Sequence, residues 1–293
     1  MNNPFIKSNH ATKKEDVDLV VKAQSGNKKA LNSLIDKHRV FIYNIAWKMV
    51  RNQADAEDLT QEALIKVVTH LGQFEGRSSF TTWCYRIVTN HFLMSKRKKD
   101  EITLTSFDEM SEALENTPDK TLTEQEKNEN RALIKEMNYY CMSGMLLCLT
   151  REQRLVYILG EMFNADHTIG SEILNISKGN FRLRLSRARS DLYNFMNNNC
   201  GLVNKSNPCR CHKNVTFAVN NKIIDNRNLL FNQKHFASFR NALHKDADKM
   251  VDIIDEKYAK LYGELPFKED FEKKTFLKNI IEDKQIKDLM RLN

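Results

Sequence analysis

A chain of 293 residues has room for two or three modest domains, and with only 9 Gly and 4 Pro it lacks the turn-dense punctuation of an all-β protein. Its formal net charge of +8 suits a polyanionic partner, and no stretch approaches the roughly 18 unbroken apolar residues of a membrane span. The polar opening MNNPFIKSNHATKKED has no signal-peptide core, so the expectation is a cytoplasmic protein without membrane contact, whose 6 Cys are thiols or metal ligands rather than disulfides.

The expected fold class is all-α. Apolar residues recur at helical period from about Asp16 to Arg51, Ala54 to Leu71 and Phe80 to Lys98, which together predict a first helical domain over 15–99. Residues 100–131 turn acidic and aperiodic, the composition of a flexible linker. Helical period returns over 132–198. The Asn-rich, Cys-bearing stretch NNNCGLVNKSNPCRCHKN then opens a segment, 199–293, that reads as helical from about Lys234 onward. No internal repeat is present.

In DAEDLTQEALIKV, Asp55, Asp58 and Glu62 share one helix face, and Leu59, Ala63 and Val67 form a core-facing stripe beside it. Asp55 and Glu57 also suit a helix's first turn, where the macrodipole favours anions. Asp58 and Glu62 do not gain from that position, and an acidic face in a basic protein reads as a docking surface for a basic partner. Further on, FEGRSSFTTWCYRIVTNHFLMSKRKK sets Phe80, Trp83, Ile87 and Val88 at helical spacing, with Arg86, Asn90, Lys96, Arg97, Lys98 and Lys99 available to a polyanion. Aromatics so spaced are usually core; the small GRSS loop before them suits a pocket for an unstacked base.

In SKGNFRLRLSRAR, Phe181, Leu185, Ala188 and Leu192 fall on one stripe, flanked by Arg182 and Arg189 on one side and Arg184 and Arg187 on the other. Ser177 is a natural N-cap, and Gly179 with Asn180 keeps the first turn small enough to approach phosphates or base edges. Upstream, HTIGSEILN reads as a short helix ending in Asn175, a residue tolerant of a left-handed turn. The order predicts a helix-turn-helix whose second helix enters a major groove. An ordinary surface helix with solvated arginines is the plainer reading, weakened by the absence of interleaved Glu.

Taken in order, DAEDLTQEALIKV, FEGRSSFTTWCYRIVTN, LTREQRLVYIL and ISKGNFRLRLSRARSDL resemble the extracytoplasmic-function class of bacterial RNA polymerase sigma factors over roughly residues 15–198. The resemblance implies two helical domains joined by the acidic linker. The first would bind core RNA polymerase and open the minus-ten element; the second would read the minus-thirty-five element of promoter DNA. Carried over residue by residue, it implies polymerase binding by Asp55, Asp58, Gln61 and Glu62. It implies capture of a flipped base by Arg77, Ser78, Ser79 and Phe80, further minus-ten contacts by Arg86, Asn90 and Arg97, and minus-thirty-five contacts by Ser177, Lys178, Asn180, Arg182, Arg184 and Arg187. The chain departs from the family at Met94, Cys84, Leu183 and Gly170, where an acidic or amide residue, a Leu, a small polar residue and an Ala are usual.

The family requires nothing of 199–293. Cys200, Cys209, Cys211 and His212 are residue types that hold zinc, although a C-x-C-H run crowds its donors; a redox-sensitive thiol cluster and incidental cysteines are the other readings. No cofactor is otherwise required. Further along, Leu243, Met250, Ile254, Tyr258 and Leu261 lie near one helix face, which would pack within the segment or dock on the sigma domains. Inhibition would come from that segment or from an anti-sigma factor. There is no Gly-rich phosphate loop or nucleophile motif, so no enzyme is expected. The competing reading is a stand-alone helix-turn-helix regulator that never joins polymerase.

Overall fold

The computed structural model describes residues 3–5, 14–95, 106–118, 121–231, 236–238, 262 and 265–268. Its helices are α1 (Lys14–Gln24), α2 (Lys28–Val50), α3 (Gln53–His70), α4 (Phe80–Met94), α5 (Phe107–Glu115), α6 (Glu124–Glu129), α7 (Arg131–Cys148), α8 (Arg151–Tyr157), α9 (His167–Leu174), α10 (Lys178–Asn199) and α11 (Cys211–Asn220). A one-turn 3-10 helix follows α3, and a π-turn, Ile158–Met162, continues α8. Residues group into two compact units: Met1–Glu101 with Leu155–Leu185 and Lys268–Asn293, and Ile102–Arg154 with Ser186–Phe267.

The first unit is built around α2. From Arg39 to Val50 every residue of this helix is buried, so it is a core helix rather than an amphipathic surface one. The single helical run expected from Asp16 to Arg51 divides at Ser25–Asn27: Gly26 takes a positive φ of 89° and the Asn27 side chain accepts the Ala30 N–H. Arg51 closes α2 in the left-handed region, and Asn52 then caps α3 by accepting from the Asp55 N–H. On α3, Ala56, Leu59, Ala63, Leu64, Val67 and Val68 are buried, which leaves the acidic face outward. Ser79 caps α4 through the Thr82 N–H.

In the second unit α7 packs against α11 and the turn after it through Met137, Val215, Ala218 and Ile224, with Leu133, Ile134, Tyr140 and Cys141 around them. The Glu136 carboxylate is 2% exposed and accepts the Phe231 N–H at 2.9 and 3.1 Å. The buried Arg154 guanidinium ends α7 by donating to the carbonyls of Leu146, Leu147 and Leu149 at 2.8, 2.9 and 3.1 Å. The acidic stretch 100–131 is not structureless: it carries α5 and α6. Ser106 accepts from the Glu109 N–H, Thr123 and Glu126 form a reciprocal capping box, and Phe107 lies 5.2 Å from the Phe195 ring.

Residues Phe236–Ser238 form a strand, β1, paired with β2 at Pro266–Lys268, so the segment that reads as helical from about Lys234 onward is extended rather than helical at these positions. Arg97 and the apolar stripe from Leu243 to Leu261 lie outside the described residues. Among the described residues no helix is long and apolar enough to cross a membrane.

Candidate nucleic-acid interface

Two helices, α9 and α10, flank a tight turn at Asn175 in the order that the sequence predicts. Asp166 caps α9 by accepting the N–H groups of Thr168 and Ile169, and Asn175 turns left-handed at φ 53°. The Asn175 N–H then reaches the Glu172 carbonyl and the Ile176 N–H the Ser171 carbonyl at 3.0 Å, the double bond of a Schellman turn. Ser177 starts α10 by accepting the Asn180 N–H at 3.1 Å. Phe181, Ala188 and Leu192 are buried and Leu185 half-buried, so the apolar stripe is the docked face. Ser177, Lys178, Asn180, Arg182 and Arg187 are exposed and Arg184 half-buried, as a phosphate-gripping edge needs.

Two neighbours of this helix were not legible. Arg182 donates from Nη2 to His167 Nε2 at 2.7 Å, which holds the guanidinium against α9 and makes that ring nitrogen the acceptor. No periodic signal connects positions fifteen apart across a turn. Gly170, unusual for the family, has a direct cause: a Cβ there would lie 2.3 Å from the Phe181 ring, which fills the space an Ala would take.

On α4, Arg86 is half-buried and donates to the Glu172 carbonyl from Nη2 at 2.8 Å and from Nε at 3.3 Å; Asn90 is exposed. In the preceding loop Arg77 is exposed and ion-paired with Glu75, and Gly76 takes φ 74°. The Ser79 hydroxyl is engaged as the α4 cap, 2.9 Å from Thr82 Oγ1, while Ser78 is half-buried. Phe80 is 1% exposed and meets His38, Phe74 and Trp83 edge-on or tilted at 5.5–5.7 Å. Its ring is core here and offers no face to a base. Trp83, half-buried against Phe74 and Phe80, rims the same cluster.

Along α3, Asp58 and Glu62 are exposed and Asp55 and Gln61 half-buried, one acidic face as the spacing predicts. Glu62 Oε2 lies 3.1 Å from Nε2 of His91 on α4. Burial and the nearby Lys66 hold His91 below its usual pKa despite that carboxylate.

Cys200, Cys209, Cys211 and His212 do not assemble as metal ligands: among the described residues no group of three or more His, Cys, Asp or Glu is placed to hold an ion. Cys200 and Cys209 are joined by a backbone bridge. Burial raises the Cys209 thiol and pushes Cys211 up to about 12.

Residues 34–102 match the family model described as Sigma-70 region 2. Curated relatives include the RNA polymerase sigma-H factor of Pseudomonas aeruginosa, 29% identical over 61% of this chain and 92% of its own. They include also the ECF RNA polymerase sigma factor SigW of Bacillus subtilis, 26% identical over 59% of this chain and 92% of its own. The solved complex of CnrH with the cytosolic domain of CnrY aligns with 63% of this chain and 98% of that chain, at 19% identity and a TM-score of 0.44.

Proposed function

We propose that the chain is a bacterial sigma factor of the extracytoplasmic-function class, which binds core RNA polymerase, directs it to promoters and initiates transcription there. The observation that carries this reading is one chain holding both a region-2 match at 34–102 and, at 167–199, two helices about a tight turn with the second one rich in arginine. A stand-alone regulator would need only the helix pair.

The division of labour is the one that the family resemblance implies, and the charge and exposure of the described residues support it. The acidic face of α3, with Asp55, Asp58, Gln61 and Glu62, docks on the polymerase. Arg77, Ser78, Arg86, Asn90 and Arg97 serve the minus-ten element, and in place of the buried Phe80 ring the loop backbone and Arg77 receive the base. Ser177, Lys178, Asn180, Arg182, Arg184 and Arg187 serve the minus-thirty-five element: the exposed guanidinium groups grip phosphates and the first turn reaches base edges. Leu183, 48% exposed among those arginines, can meet a thymine methyl and so bias promoter choice. An anti-sigma factor is a further partner of the kind this class uses.

The test is co-elution with purified core polymerase of the intact chain and of an Asp58→Lys, Glu62→Lys double variant. The chain should co-elute and the variant should not. Equal behaviour of the two would remove the acidic face from the interface, and no binding by either would remove the function.

A further inference from the structure

Residues 3–5 lie where α4 meets α9 inside the first unit. Asn3 and Phe5 are 3% and 0% exposed. The Asn3 side chain works at both ends: Nδ2 donates to the Phe163 carbonyl at 2.7 Å and Oδ1 accepts the Phe5 N–H at 3.0 Å. The Phe5 ring meets Tyr85 of α4 at 4.7 Å, Phe163 after the π-turn at 5.1 Å and Phe41 of α2 at 6.2 Å, all edge-on. Such contacts add to the ring's burial rather than merely fill space. Beside this wedge, the Arg86 fork lies on the Glu172 carbonyl, a cation on the C-terminal end of α9, where the helix dipole favours it.

We infer that Asn3 and Phe5 form an intramolecular clasp that holds α4 shut against α9, so that the free chain is a closed, self-inhibited form. The inference rests on the proposed roles of α4 and α10. Minus-ten and minus-thirty-five elements are, by their names, about 25 base pairs apart, or roughly 85 Å of duplex at 3.4 Å per pair. Helices joined by a 2.8 Å hydrogen bond cannot read both ends of that span. The closed form also engages Arg86, a side chain assigned to DNA. Opening therefore requires Phe5 to leave Tyr85 or Phe163 and Arg86 to leave Glu172, and binding to polymerase supplies the driving force.

The experiment compares the full chain with Phe5→Ala and with Asn3→Ala, the second removing the bridge while keeping the ring. Small-angle scattering of the free proteins reads the radius of gyration, and titration against core RNA polymerase reads affinity. Both variants should expand while keeping helical circular dichroism. If the open form is about a tenth of the wild-type population, the variants should bind polymerase up to about tenfold more tightly, because apparent affinity scales with the competent fraction. An unchanged radius in both variants would overturn the clasp. So would loss of helicity in both, since residues 3–5 would then be scaffold. Expansion in a chain that binds no polymerase would keep the clasp and overturn the functional reading instead.

Discussion

His38 is wholly buried, 3.4 Å from the Tyr85 hydroxyl and 5.5 Å from the Phe80 ring, and burial pushes its pKa down to about 4 from 6.5. Asp16 pulls the other way and Lys37 adds to the lowering. The folded chain therefore binds this proton less readily than the unfolded one: stability is full above pH 6.5 and is lost as pH falls through the window down to 4, by about 3 kcal/mol at most. Denaturant melts of wild type and His38→Gln between pH 7 and 4 should show this acid limb flattened in the variant; parallel curves would assign it elsewhere. Gly170 makes a second case. Gly170→Ala should cost about 1–3 kcal/mol through overpacking against Phe181, and Gly170→Ala with Phe181→Leu should cost less than the two single changes added. Strict additivity would deny the contact. At this scale the sequence was readable where local chemistry decides, as at the Ser177 cap and the Asn175 turn. It was not readable where a neighbour from another helix decides, as for Phe80 in the core, Arg182 on His167 and Gly170 under Phe181.

Elements were legible by period and obscured by caps. The apolar stripes of α3 and α10 face inward as their spacing predicts, because a stripe of that width needs only some partner, not a particular one. The helices within 100–131 were hidden by composition, although Ser106-x-x-Glu109 and Thr123-x-x-Glu126 are both capping-box spacings that acidic, polar content drew attention away from. The break at Ser25–Asn27 was equally written in small and turn-forming residues inside a longer helical period. For α10, Arg184→Ala should weaken binding of the polymerase-bound chain to all its promoters alike and reduce the slope of log affinity against log salt by about one, the signature of a single phosphate contact. A loss confined to promoters that differ at one base would make Arg184 a base reader.

At the scale of the whole molecule, residues 211–231 of the extension beyond Asn198 are part of a core and not an appendage. Val215, Ala218 and Ile224 cover α7, and Phe231 supplies the amide that the buried Glu136 carboxylate accepts. Truncation after Asn198 should therefore lower the melting temperature and speed proteolysis within 131–198, and an unchanged melt would show the extension to be dispensable to the fold. Sequence alone suggested a helical partner segment there. It gave no sign that a helix at 211–220 would complete the core of a unit begun some eighty residues earlier, because two amphipathic stripes do not name each other. The family resemblance reached further than periodicity did, since ordered motifs encode a chain's function even where its packing is its own. The central claim, that this chain gives polymerase its promoters, is tested most directly by mapping transcription starts on genomic DNA with purified core polymerase, with and without the chain. New starts should appear only with the chain, each downstream of the same two-part asymmetric motif at fixed spacing. No new starts, with the chain instead retained on palindromic sites without polymerase, would contradict it.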